Sequence, residues 1–277
     1  MVDLRTVREP AQAYVMLSRV QELNQLYILE NLPVDKLKAS EVALREVNRL
    51  NMISINQNLP EWYNPTSNCL KIVFLNTRSL RKHFSDIRCN WQICSSDLLC
   101  ISETWLISDA HDQFKLPGYE SVHFVISGRG KGLATYTREP FAHEKDVNSS
   151  HHQITKVVSS RLDVISVYRS SSSPMKDIFD MLKPMIDNTK TTLIGGDMNT
   201  CVLKNSANPL TKRLEGLGFV QLVNQATHIL GGALDHVYVR HPDGSVPRFW
   251  SKINIYPLSV YWSDHDAVMV SVWQNDE

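Results

Sequence analysis

This chain has no apolar stretch approaching the roughly 18 consecutive residues that a membrane span requires, and its N-terminus lacks the charged-then-apolar layout of a signal peptide. The expectation is a soluble, intracellular protein with no membrane partner. Nor is there a surplus of charge of either sign, since 29 Lys and Arg residues face 29 Asp and Glu. That removes the simplest electrostatic argument for a nucleic-acid partner without excluding one, because a carboxylate-rich site can cancel basic residues elsewhere. The five cysteines are an odd number and contain no CxxC pair, so neither a disulfide framework nor a zinc ribbon is expected. Cys89, Cys94 and Cys100 read as buried free thiols. A Gly-rich phosphate loop ending in Gly-Lys-Ser/Thr is missing too, and Arg129-Gly-Lys-Gly132 is not one, so this chain alone should not bind ATP that way.

What is present is a chain of 277 residues, 43% hydrophobic and 21% charged, enough for one large domain or a domain with an appendage. Residues 1–59 read as mainly helical, from the periodic runs Tyr14 to Val20 and Leu37 to Leu50, with Leu26 to Leu29 as a short buried strand. Residues 60–69, rich in Asn and Pro, form a linker. From residue 70 to 277 the texture becomes short β-rich runs separated by a few helices, an α/β pattern. Candidate strands are 71–75, 98–101, 132–136, 163–167, 191–194, 236–239 and 267–272. Helices fit Phe84 to Cys94, Met175 to Ile186 and Leu210 to Leu217, and Ser170 to Pro174 reads as a mobile loop.

Polar residues recur at the ends of these strands, where the loops of an α/β sheet present functional groups. Asn76 follows the first strand and Glu103 the second, in Ser102-Glu-Thr-Trp105. Tyr168 and Arg169 end the fourth, and Gly195-Gly-Asp-Met-Asn199 ends the fifth. Asp235 and His236 begin the sixth, and Ser263-Asp-His-Asp266 precedes the last. Singly these are ordinary: Asp197 after two glycines reads as a turn, and a strand-end Glu is usually a solvated carboxylate. As an ordered set of six they are not.

That ordered set resembles the endonuclease/exonuclease/phosphatase superfamily, which includes DNase I-like enzymes, apurinic endonucleases and the endonuclease domains of non-LTR retrotransposons. The likeness runs from Lys71 to Val272 and is carried by Leu75-Asn-Thr-Arg-Ser-Leu80, Ser102-Glu-Thr-Trp105, Gly196-Asp-Met-Asn199, Leu234-Asp-His236 and Ser263-Asp-His265. It implies a four-layered α/β sandwich of two packed mixed sheets. It also implies Mg²⁺, with Mn²⁺ as a substitute, held by Glu103 with Asn76 nearby and Asp264 at or behind the metal. Phosphodiester hydrolysis develops negative charge that such a hard cation stabilises. By the same resemblance Asp197 would orient or deprotonate the attacking water, Asn199 and Tyr168 would hydrogen-bond the reacting phosphate, and His265 would sit against that phosphate, oriented by Asp235. His236 should point to the opposite face of its strand and be structural. Where apurinic-repair members carry an acidic residue two positions after the first Asn, this chain has Arg78, as in retroelement-like members. Arg78, Arg81, Lys82 and Arg169 are the expected DNA contacts.

Gln12 to Val20 resembles the last motif of Pif-type superfamily-1 helicases, with Arg19 as its arginine, and Gln25 to Leu29 continues the likeness. A helicase C-terminus followed by such an endonuclease resembles the layout of animal Helitron-type transposons. The chain would then be the tail of a longer polyprotein, acting on DNA in the nucleus. Two alternatives stay open: the same fold acting on RNA or on a phosphoinositide or sphingolipid headgroup, and a silent DNA-binding transposon remnant.

Overall fold

The computed structural model describes residues 69–108, 111–160, 162–203, 208–242 and 250–274. The helical segment expected over 1–59, its helicase-like motif and the linker up to residue 68 lie outside the described residues.

Among the described residues, twelve strands form two six-stranded sheets. In the first, β1 (Cys69–Asn76), β2 (Leu98–Ser102), β3 (Ser121–Val125), β4 (Leu133–Thr137), β11 (Trp250–Leu258) and β12 (Ala267–Gln274) lie in the order β11-β12-β1-β2-β4-β3. In the second, β5 (Ala142–Asn148), β6 (His152–Val158), β7 (Leu162–Arg169), β8 (Thr191–Asp197), β9 (Val220–Gln221) and β10 (Asp235–Arg240) lie in the order β5-β6-β7-β8-β10-β9. Each sheet is antiparallel except for one central parallel pair, β1 with β2 and β7 with β8. A parallel pair needs a crossover connection. Helices α1 (Leu80–Cys89) and α2 (Trp91–Cys94) lie in the first crossover, and α3 (Met175–Leu182) lies in the second. A fourth helix, α4 (Pro209–Glu215), follows β8, with Asn208 accepting from the Leu210 and Thr211 amides as its cap.

Alternation along the strands builds the layers. Ile72 and Phe74 of β1, Val268 and Val270 of β12, Val164 of β7 and Leu193 of β8 meet in one core between the sheets. Their neighbours Ile165, Val167 and Ile194 turn outward onto Ile178 and Leu182 of α3 and Leu210 and Leu214 of α4. Each such side chain buried contributes about 1.5–3 kcal/mol. This is the expected α/β sandwich.

Several local expectations change. The helix expected from Phe84 to Cys94 is two helices, because Asn90 leaves helical geometry and its side chain accepts from the Ile93 amide, capping the second. Cys100 is buried, but Cys89 is exposed and Cys94 only partly covered. The loop from Ser170 to Pro174 is tied down, since Ser173 is buried, its hydroxyl lies 2.7 Å from His152 Nε2, and its carbonyl accepts from Arg169. Among the described residues no helix is long and apolar enough to cross a membrane.

Candidate active site

The carboxyl ends of the two parallel pairs bring the ordered polar residues together. Register places Asn76 opposite Ser102, one residue before Glu103. In the second sheet Tyr168, Asp197 and Asp235 lie side by side on β7, β8 and β10. Asn76 joins the sheets: its buried amide nitrogen donates to Glu103 Oε1 at 3.0 Å and to Asp197 Oδ2 at 2.8 Å.

The glycines before Asp197 are not a turn. They lie inside β8, and both are required by close approach. A Cβ on Gly195 would stand 2.5 Å from the Phe74 ring of the opposite sheet. One on Gly196, whose φ is +127°, would stand 2.1 Å from the Val167 carbonyl oxygen. Beyond them Asp197 is completely buried. Its Oδ1 accepts from the Asn199 backbone N–H at 2.7 Å and its Oδ2 from the Asn199 amide at 3.1 Å. Burial, then repulsion from Asp235, raises its pKa to about 7, against the opposing pull of His265.

Asp235 and His265 form a buried pair with Oδ2 and Nδ1 2.8 Å apart. The Thr227 hydroxyl donates to the same Oδ2 at 2.9 Å. Burial alone would depress the imidazole pKa, but the Asp235 charge and hydrogen bond, helped by Asp197 and Asp264, raise it to about 9. One ligand atom each from Asp197, Asp235 and His265 all lie within 4.8 Å of one another. Burial and charge thus raise both groups, the Asp197 carboxyl to about 7 and the His265 imidazole to about 9.

Asp264 sits between His228, at 3.7 Å, and the Arg78 guanidinium. Its Oδ1 is buried with no hydrogen-bond partner, an orphaned acceptor of the sort a cation satisfies. Glu103 supplies further carboxylate oxygens, and an all-oxygen donor set suits a hard divalent ion. Each carboxylate has the chemistry such an ion takes, and the ligand atoms gathered within 4.8 Å of Asp264 are those of His228 and His265. Asn76 fits the expected ligand role less well: its NH₂ faces the two carboxylates while its oxygen accepts from the Arg78 N–H at 3.1 Å.

Backbone strain converges on the same place. Among the described residues the non-glycine positions with positive φ are Arg78, Ser79, Glu103, Trp105 and Asn199. Such positions persist only where surrounding structure over-determines them, and they gather at functional sites.

One expectation is revised. Arg169 is buried and spends its guanidinium on backbone: Nε donates to the Met198 carbonyl at 2.6 Å, Nη2 to that of Asn199 at 3.0 Å, and Nη1 to that of Ser173. It braces the loop after β8, and its burial keeps the guanidinium from a DNA backbone at the surface. Tyr168, also buried, donates to the Gly130 carbonyl at 2.7 Å. Burial and the nearby Glu103 and Asp197 charges raise its pKa, so the phenol stays neutral. Arg78, Arg81 and Lys82 are exposed as expected. His236 is buried between the Tyr238 hydroxyl at 2.8 Å and the Thr200 carbonyl at 2.7 Å, a structural histidine.

Sequence reasoning passed over four supporting residues. Thr227 fixes Asp235. Ser263 donates to the Asn76 carbonyl at 2.7 Å and accepts from the His265 N–H at 3.2 Å. Trp105 donates to Glu103 Oε2 at 3.1 Å, and the His228 ring stands edge-on to His265 at 4.8 Å. Trp105 and Ser263 lie inside the quoted motifs, which was a signal; Thr227 and His228 carry none.

Comparison with known proteins agrees with this geometry. Residues 66–265 match the sequence profile described as the Endonuclease/Exonuclease/phosphatase family. No curated protein sequence matches the chain. Among solved structures, an AP endonuclease from Archaeoglobus fulgidus is 20% identical with a TM-score of 0.55, covering 73% of this chain and 98% of its own. The endonuclease domain of TRAS1, a telomere-specific non-LTR retrotransposon, is 13% identical with a TM-score of 0.54, covering 75% and 100%. The 3'-5' exonuclease NExo from Neisseria meningitidis is 15% identical with a TM-score of 0.56, covering 74% and 100%. At these identities the likeness is one of fold.

Proposed function

The chain belongs to the endonuclease/exonuclease/phosphatase family, and from that premise we propose that it is a Mg²⁺-dependent phosphodiesterase that nicks DNA by direct attack of water. Members of the family are hydrolytic nucleases and phosphatases. One observation carries the reading: Glu103, Asn76, Asp197 and Asn199 form one hydrogen-bonded chain across both sheets, with the Asp235 and His265 pair beside it.

Glu103 and Asp264 would hold Mg²⁺, or Mn²⁺ in its place, which when bound supplies Lewis-acid neutralisation of phosphate charge. Asp197, with its pKa near neutrality, takes the proton of the attacking water. Asn76 and Asn199 aim its two oxygens. His265, held as imidazolium by Asp235, donates from Nε2 to the phosphate oxygens as negative charge grows on them. Tyr168, a neutral phenol, adds a donor once it exchanges the Gly130 carbonyl for substrate. Arg78, Arg81 and Lys82, beside the site on the β1–α1 connection, contact flanking phosphates and set register rather than sequence preference.

We place this activity in a mobile genetic element working in the nucleus, with residues 70–277 as the nuclease and residues 1–59 as a helicase C-terminal-like piece joined through 60–69. The likeness of Gln12 to Val20 to a helicase motif supports that placement. The test is nicking of supercoiled plasmid in Mg²⁺ and in EDTA, with His265→Ala and Glu103→Gln alongside. Activity is expected to vanish in EDTA and to fall by about 10²–10⁴-fold in either variant. Equal inertness of folded wild type and variants overturns the catalytic assignment. Hydrolysis of a phosphoinositide or sphingolipid headgroup with DNA left whole overturns the substrate.

A further inference from the structure

A second group of ligating side chains lies where the edges of the two sheets meet. His123 stands on β3, the outer strand of the first sheet, and His143 and Asp146 stand on β5, the outer strand of the second. No backbone ladder joins β3 to β5. The two imidazole rings nevertheless stack at 3.6 Å with 24° between their planes. Both turn Nε2 onto one carboxylate, His143 to Oδ1 at 3.1 Å and His123 to Oδ2.

A regular strand would not build this. Residues three apart on a strand face opposite sides, so His143 and Asp146 should diverge. The pairing of β5 with β6 shifts register between His143 and Lys145, which inserts Glu144 as an extra residue. Such a bulge re-aims the side chains around it and lets both reach the same point.

We propose that His123, His143 and Asp146 bind one divalent transition-metal ion, with zinc the best match, that ties the edges of the two sheets together. Two imidazole nitrogens with one carboxylate oxygen are a mixed donor set that zinc takes readily and that Mg²⁺ and Ca²⁺ do not. One ligand atom from each residue lies within 4.8 Å of the others. Ligands of one ion with bonds of about 2.0–2.1 Å stand about 2.9–3.4 Å apart, which brackets the 3.1 Å between His143 Nε2 and Asp146 Oδ1. Side-chain exposures of 34%, 30% and 26% for His123, His143 and Asp146 leave a path for the ion and for water to complete its coordination. For both Nε2 lone pairs to converge on one ion, the stacked rings must splay from their present 24°. The group shares no residue with the proposed catalytic machinery.

The alternative is a metal-free clasp in which the histidines simply share a carboxylate, and metal titration separates the two. The full chain is stripped with EDTA, then titrated with Zn²⁺ and, for its visible absorption, with Co²⁺. Wild type is expected to bind one more equivalent of Zn²⁺ than His143→Ala, His123→Gln or Asp146→Asn, or to bind it at least about 100-fold more tightly. Zn²⁺ should raise the thermal midpoint of wild type and not of the variants. Three variants guard against one that fails to fold. Equal zinc stoichiometry and affinity in wild type and all folded variants overturns the site, as does no zinc binding by wild type. His143→Ala is expected to keep Mg²⁺-dependent nicking. A chain that binds zinc but cuts no DNA would refute the proposed function and leave this site standing.

Discussion

Asp235→Asn tests the electrostatics of the site at one atom. Asparagine keeps the volume and one oxygen but removes the charge that lies 2.8 Å from His265 Nδ1. In the wild type that charge overcomes burial and holds the imidazole pKa at about 9. Without it burial is opposed only by the weaker pulls of Asp197 and Asp264, and the pKa falls towards the ordinary value of 6.5. A fall of about 2.5 pH units at about 1.4 kcal/mol each is about 3.5 kcal/mol of lost preference for the imidazolium. At neutral pH His265 changes from a charged donor to a neutral ring, and nicking should fall by about 10²–10⁴-fold.

The direct assay follows the His265 imidazole by NMR through a pH titration in EDTA, with the nicking rate measured in parallel. Stability supplies an independent reading. A folded-state pKa raised above the unfolded value contributes stability that is complete below about 6.5 and is lost as pH rises through about 9. The stability gap between wild type and Asp235→Asn, measured by urea unfolding, should therefore narrow between those two values. If His265 titrates near 6.5 in wild type, or does not move in a folded Asp235→Asn, the imidazolium reading is wrong.

Gly196→Ala should cost more than about 4 kcal/mol in urea unfolding, since its Cβ meets backbone at 2.1 Å; Gly231→Ala, also at positive φ but with nothing within 4 Å, should cost only about 1 kcal/mol, and equal costs would contradict the packing argument. Burial holds the His236 pKa at about 4, below its unfolded value. The unfolded chain then binds the extra proton, and stability is lost as pH falls from about 6.5 towards 4, by up to about 3 kcal/mol; His236→Asn should remove that acid limb from the stability profile. Arg169→Met leaves three carbonyls without their donor and should destabilise by about 2–4 kcal/mol while leaving the salt slope of DNA binding unchanged. Arg81→Ala and Lys82→Ala should each reduce that slope by about one and leave stability intact.

How much of this was legible in the sequence depended on burial. Strands β1, β2 and β12 read as near-continuous hydrophobic runs, and β7 and β8, buried on both faces, carry shorter ones. Strands β3 and β5 stand at sheet edges, where His123, Glu144, Lys145 and Asp146 interrupt any alternation. The bulge in β5 destroys its period outright. The six strand-end residues were readable as chemistry because their types are rare together. Arg169 was misread because a strand-end arginine is usually solvated. Two of the three carbonyls it binds, those of Met198 and Asn199, lie 29 and 30 residues further along the chain, which local pattern does not encode. The same holds for Thr227, an ordinary loop threonine until folding sets it against Asp235.

The two halves of the site come from separate sheets, so its geometry depends on how closely those sheets approach. Phe74 packs against Gly195, which has no side chain to hold it off, two residues before Asn76 on one strand and two before Asp197 on the other. That contact sets the spacing across which a single asparagine side chain must reach, and Asn76 spans it with bonds of 3.0 Å to Glu103 and 2.8 Å to Asp197. A bulkier residue at 195 would part the sheets just where the amide has no length to spare. The paired glycines, read in isolation as a turn, are thus a packing device for the core and for the site at once. Every proposed catalytic group sits within two residues of a strand end, because there the rigidity of the sandwich is still felt while solvent and substrate can enter.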